Sequence, residues 1–278
     1  MNNPFKEQKA YPNLVESFGI IAWVLLASLL IGIPLFLVKY MVPDSASTSF
    51  DSIIQMFGYA IPFATVSFFI YKRHKRLDST FSLKFNLPNL KILLLLIPLT
   101  LAIGIVIEPI TTFIPMPEWV QKLFENMMRN DIYTLITVAF LAPFFEEVIF
   151  RGFILNGLLK NYSPQKAILW SAFLFGIVHL NPWQFIGAFL IGTVIGWLYW
   201  KTNSIIPGML IHFVNNFTAS MLMMFSDDSV ESFSQWIGNS TQYYAVGGLS
   251  IITIIFSYFY LQKYFKQQEP LTQRPLLD

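Results

Sequence analysis

Glu146, Glu147, Arg151, His179 and His212 are ionisable residues set inside segments that are otherwise apolar enough to span a membrane. At membrane depth such a group costs about 2.5–3.5 kcal/mol on insertion scales unless it is paired or hydrated, so it marks an ion pair, a proton path or a catalytic site. The set holds a carboxylate pair, a guanidinium and two of the chain's three histidines, drawn from three predicted helices. That mixture suits chemistry better than conduction.

Spacing divides the labour within Glu146-Glu147-Val148-Ile149-Phe150-Arg151. Glu147 and Arg151 are four apart and share a helix face, where they can neutralise each other. Glu146 sits about 100° round the helix and has no such partner. The structural alternative is a charge cluster that braces neighbouring helices. Pro143, one turn earlier, cannot donate the bond that the Ala139 carbonyl would accept, which predicts a kink or local opening. Backbone of that kind survives at depth only where it faces protein or a wet cavity.

His179 follows Phe175 by four residues, and a lone helical histidine is commonly a buried hydrogen-bonding group. His212 and Asn216 are one turn apart, which puts an imidazole and a carboxamide on one face. Both can donate hydrogen bonds together, as a developing oxyanion requires. The alternative for Asn216, and for Asn215 beside it, is polar adhesion between helices.

The elements that must position these groups are transmembrane helices. Hydrophobic residues form 55% of the 278, aromatics 17% and charged residues only 12%, about half the charge of an average soluble domain. The predicted fold is all-α, a polytopic transmembrane bundle of about eight helices in a single integral membrane domain over residues 1–278. The apolar runs are Gly19 to Val38, Ile53 to Tyr71, Ile92 to Ile107 or Ile114, Ile132 to Leu159, Ala167 to Leu180, Trp183 to Trp200, Ile205 to Phe225 and Tyr243 to Leu261. The fifth is shorter than the roughly 20 residues of a perpendicular span, and only Asn181-Pro182 separates it from the sixth, so the two form a tight hairpin. The ten-residue alternation of a membrane barrel is missing. The first run lacks the short core and cleavage pattern of a signal peptide and is read as an uncleaved helix.

Loop charge orients the bundle. Lys72, Arg73, Lys75, Arg76, Lys160, Lys166, Lys201, Lys263, Lys266 and Arg274 fall on one side, which predicts that side and both termini to be cytoplasmic. Asp44, Asp51, Glu108, Glu118, Glu125, Asp131, Asp227, Asp228 and Glu231 fall on the other. The segment from Leu77 to Leu90, with Phe81, Leu83 and Phe85, is expected along the cytoplasmic interface. At about 1.5 Å per residue in a core of about 30 Å, Glu146, His179 and His212 all lie between about 10 and 20 Å from the cytoplasmic face, so they can meet. Gly192 and Gly196 form a small-xxx-small pair for close helix packing.

Several classes are excluded or weakened. A net charge of +2 without basic blocks argues against nucleic acid as a partner. Without cysteine there is no thiolate nucleophile, disulfide or cysteine metal cluster. No aspartate lies in a predicted span, which removes a paired-aspartate protease. Ser171, Ser204 and Ser220 lack a GxSxG context. A proton-coupled transporter would more often carry inverted repeats with matching broken helices, and the sequence has none.

Taken together, EExxxR at Glu146 to Arg151, FxxxH at Phe175 to His179 and HxxxN at His212 to Asn216 resemble the CPBP family of intramembrane endopeptidases, also called the CAAX-protease or Abi family. The resemblance covers a motif-bearing core over about residues 130–225. It implies eight membrane helices, with the motifs on the fourth, fifth and seventh, and cleavage of peptide bonds near the membrane. In the eukaryotic and archaeal branch, cleavage removes the last three residues of prenylated CAAX substrates. Carried over by residue, Glu146 would activate water with help from His179, His212 and Asn216 would stabilise the oxyanion, and Glu147 and Arg151 would order the site. No cofactor is expected. Zinc on Glu146, His179 and His212 is the alternative, although the chain lacks HExxH. The expected partners are a membrane-associated peptide or protein substrate and the lipid bilayer. The expected location is the cytoplasmic (inner) membrane, as a multi-pass protein. A non-catalytic scaffold or regulator of the same fold is the rival reading.

Overall fold

The computed structural model of the protein describes residues 10–41, 48–127, 129–225 and 233–268. Asp44, Asp227, Asp228, Glu231 and Arg274, and the side chain of Glu125, lie outside what is described. Among the described residues every regular element is a helix, and there are no strands. The helices are α1 (Leu14–Met41), α2 (Thr48–Leu77), α3 (Leu90–Thr112), α4 (Glu118–Met127), α5 (Ile132–Asn161), α6 (Pro164–Ile177), α7 (Pro182–Thr202), α8 (Ile206–Phe225), α9 (Phe233–Ile237) and α10 (Ser240–Gln268). Seven of them, α1, α2, α3, α5, α7, α8 and α10, are long and apolar enough to cross a membrane. This is an integral membrane protein with a polytopic helical bundle.

The expected fifth span is α6, whose 14 residues reach only about 21 Å at 1.5 Å per residue. It pairs along its length with α7 as the predicted hairpin. Leu180 makes the tight turn in the left-handed region at φ 56°. Asn181 then caps α7, its side chain accepting the Gln184 N–H at 2.8 Å. Gly192 and Gly196 let the pair close. A Cβ on Gly192 would stand 3.0 Å from Phe175 and 3.5 Å from the Ala172 backbone, and one on Gly196 would stand 3.1 Å from Ile168.

α5 is the central element, in contact with α2, α6, α7 and α8, while α1 pairs with α2 and α10 with α3. Asp131 starts α5, accepting the N–H groups of Tyr133 and Thr134 at 2.8 and 3.0 Å. Every residue from Val148 to Leu155 is buried, Arg151 included. By contrast α10 keeps Leu249, Ile252 and Phe259 more than 60% exposed, as befits a helix that faces lipid.

The segment between α2 and α3 departs from the interfacial expectation. Phe85 is exposed, but Phe81 is buried, stacked on Phe153 and tilted against His74. Leu83 packs so closely on Gly152 that a Cβ there would stand 2.6 Å away. The Lys84 carbonyl accepts the Ile205 N–H at 3.0 Å, which ties this segment to the start of α8. Apolar side chains that can reach a neighbouring core gain more there than at an interface.

Candidate active site

α5 takes the wider π register on both sides of a short α-helical piece that begins at Ala142-Pro143. The π stretches are Thr137–Leu141 and Val148–Leu155, with Ala142–Glu147 between them. The Ala142 N–H donates to the Thr137 carbonyl, five residues back. Continued one step, that pattern asks residue 143 to donate to the Val138 carbonyl, and proline has no N–H. The orphaned carbonyl is therefore Val138, one residue from the Ala139 that an α register predicts. Asn216 answers it from α8, its Nδ2 donating at 2.9 Å. Asn215 in turn donates to Asn216 Oδ1 at 3.1 Å, which fixes the amide.

On one side of α5, Glu147 and Arg151 pair at 2.8 Å between Oε1 and Nη1 with no exposed surface on either side chain. Arg151 Nη2 also donates to the Gly192 carbonyl at 3.1 Å. Its guanidinium lies over the Phe175 ring at 4.6 Å. Gly208, one turn before His212, lets α8 approach this pair. A Cβ there would stand 2.4 Å from Glu147 Oε2 and 2.6 Å from Ile195.

Glu146 is also buried, but differently engaged. Its Oε1 accepts from the Tyr59 hydroxyl at 2.8 Å. Its Oε2 is shut away from solvent without a hydrogen-bond partner, 3.7 Å from His212 Nε2. The His212 ring thus stands between both carboxylates, with Nδ1 3.4 Å from Glu147 Oε1. The contact lies outside hydrogen-bond alignment, and Nδ1 has no hydrogen-bond partner.

His179 follows the end of α6, in the turn before α7. Its Nδ1 is 2.9 Å from the Phe175 carbonyl. A carbonyl only accepts, so this contact assigns the hydrogen of the neutral ring to Nδ1 and leaves Nε2 as the acceptor. Phe175 is the wedge of the cluster, edge-on to both His179 and His212 with centroids 5.4 Å apart in each case. Among the described residues no hydrogen bond or ion pair joins His179 or Asn216 to Glu146. The fold therefore brings Glu146, Glu147, Arg151 and His212 into direct proximity, sets His179 behind Phe175 and places Asn216 one turn beyond His212.

Two contributors were not legible as such in the sequence. Phe175 appeared only as the first letter of a motif, and Tyr59 lies in an apolar span where a hydroxyl at depth is the sole signal.

Residues 128–218 match the family model "Type II CAAX prenyl endopeptidase Rce1-like". The motif-bearing stretch is thus similar to the CAAX-protease family. A relative, CAAX prenyl protease 2 of Methanococcus maripaludis, is 24% identical over 222 residues, which cover 69% of this chain and 80% of the relative. No solved structure matched the chain. The family match ends within α8 and begins just before α5, so it contains Glu146, Glu147, Arg151 and His212 but not Tyr59.

Among the described residues, no three of His, Cys, Asp or Glu are grouped so as to hold a metal ion. Glu146 and His212 stand together, and His179 turns its Nδ1 to the Phe175 carbonyl.

Proposed function

We propose that this protein is an intramembrane endopeptidase of the CAAX-protease type, in which Glu146 activates water against the peptide bond of a membrane-associated peptide or protein. The observation that carries the reading is the buried Glu146 Oε2, free of a protein partner and 3.7 Å from His212 Nε2. The neighbouring Glu147 is neutralised by Arg151. A polar pair separated by more than hydrogen-bond distance is where a bridging water fits.

In this mechanism the water gives its proton to Glu146 Oε2 as its oxygen attacks the carbonyl carbon, assisted by the acceptor Nε2 of His179. The carbonyl oxygen becomes an oxyanion held by the Nε2–H of His212 and the second amide hydrogen of Asn216. The first amide hydrogen of Asn216 already serves Val138, which rigidifies the donor. Collapse of the intermediate breaks the C–N bond and returns the proton from Glu146 to the leaving amine. Glu147 and Arg151 order the site, and no step passes through a metal. The basic loops, the site and both termini belong to the cytoplasmic side by the loop charge bias.

The name of the M. maripaludis relative makes a prenylated peptide with a C-terminal CAAX sequence the first probe. Purified protein should cleave it, and Glu146→Gln should lower the rate by about 10²- to 10⁴-fold with unchanged folding. Activity should survive strong chelators, with metal analysis well below one equivalent. Stoichiometric zinc, lost and regained together with activity, would replace this mechanism by the zinc version. Full activity of Glu146→Gln would overturn the reading itself.

A further inference from the structure

Tyr59 stands on α2, outside the residues that the family match covers, and it is the protein group that holds Glu146. Its hydroxyl donates to Oε1 at 2.8 Å. Its ring is fixed by stacking on Phe63, with centroids 4.5 Å apart and planes 19° from parallel. Phe63 is itself buried and lies 6.5 Å from the ring of Phe145, the residue before Glu146. Thus α2 grips the catalytic stretch of α5 at two adjacent positions.

The terminal torsion of a glutamate is broad and roughly two-fold, so an unheld carboxylate offers either oxygen in several orientations. Donation from Tyr59 makes the two oxygens unequal. Oε1 is occupied, and Oε2 is directed at His212. We propose that Tyr59 is a positioning residue for the reaction, pinning Oε1 so that Oε2 alone serves as the base beside His212. This rests on the reading of Glu146 as the base given above. It also brings α2, which otherwise contributes only hydropathy, into the site.

Tyr59→Phe keeps the stacking ring and deletes the hydroxyl. With the prenylated CAAX peptide as probe, kcat should fall about 10- to 100-fold while KM stays within about twofold, because the lost contact orients the base and does not bind substrate. Phe63→Leu, which keeps the hydroxyl, should retain more of kcat than Tyr59→Phe. A second measurement does not need turnover. The infrared difference between the wild type and Glu146→Gln isolates the Glu146 carboxyl band. That band should move in Tyr59→Phe and stay in place in Tyr199→Phe, whose hydroxyl meets Asn156 instead.

A band that does not move in Tyr59→Phe overturns the contact. A band that moves without any loss of kcat overturns the positioning role. If Glu146→Gln is inactive while Tyr59→Phe cleaves at the wild-type rate, only the role of Tyr59 fails. If wild type and Glu146→Gln cleave the probe equally, or neither cleaves it, the base reading fails and this inference with it.

Discussion

Glu146 and Glu147 are consecutive in the chain, yet they occupy opposite kinds of territory. Glu147 faces a closed region made by Arg151, Gly192, Phe175 and Gly208, where its charge is cancelled at 2.8 Å. Glu146 faces a polar region made by Tyr59 and His212, where one oxygen is held and the other is not. The contrast teaches that burial alone does not make a catalytic carboxylate. Each carboxylate keeps one buried oxygen without a hydrogen-bond partner; what separates them is the partner of the other oxygen, a guanidinium for Glu147 and a neutral hydroxyl for Glu146, so only Glu147 has its charge cancelled.

The contrast is broken most severely by removing the charge on the closed side. Glu147→Gln leaves Arg151 uncompensated, and breaking a buried pair in this way costs about 3–5 kcal/mol, so thermal unfolding in detergent should show loss of folded protein. Adding Arg151→Met should regain part of that stability. If Glu147→Gln instead folds normally and only loses activity, the two carboxylates have been assigned the wrong way round.

A smaller effect is expected where the closed region depends on the absence of a side chain. Gly208→Ala drives a methyl against Glu147 and Ile195, both under 3.0 Å from the added carbon, and overpacking of this kind costs about 1–3 kcal/mol. Because Gly208 precedes His212 by one turn, the same variant should also lose activity. Retention of both properties would mean that α8 can shift away without cost.

The smallest effect belongs to the lipid face. Ile252→Ala on α10, at a side chain 64% exposed, should change stability by less than about 0.5 kcal/mol and leave cleavage unchanged. A large effect there would place α10 against a neighbouring chain.

Much of this architecture could be read without coordinates. Apolar runs near 20 residues can be satisfied only as helices in lipid, because backbone groups must pair within their own segment, and so the spans and the α6–α7 hairpin were predictable. The pairing of Glu147 with Arg151 was equally local, because residues four apart share a helix face. The sequence also located the break at Pro143 but misjudged its register. A missing N–H is certain from the chain, whereas the choice between α and π spacing depends on what packs alongside.

The remaining features were decided by contacts between distant segments, which no local period encodes. That Phe81 and Leu83 turn inward depends on the space left by Gly152 and on the hydrogen bond from Ile205 to Lys84. That Asn216 meets the Val138 carbonyl, that His179 turns to the Phe175 carbonyl and that Tyr59 reaches Glu146 across 87 residues are tertiary facts. Helix periodicity determines which residues share a face. Only packing determines what that face meets, and for Glu146 it is the Tyr59 hydroxyl and the His212 ring.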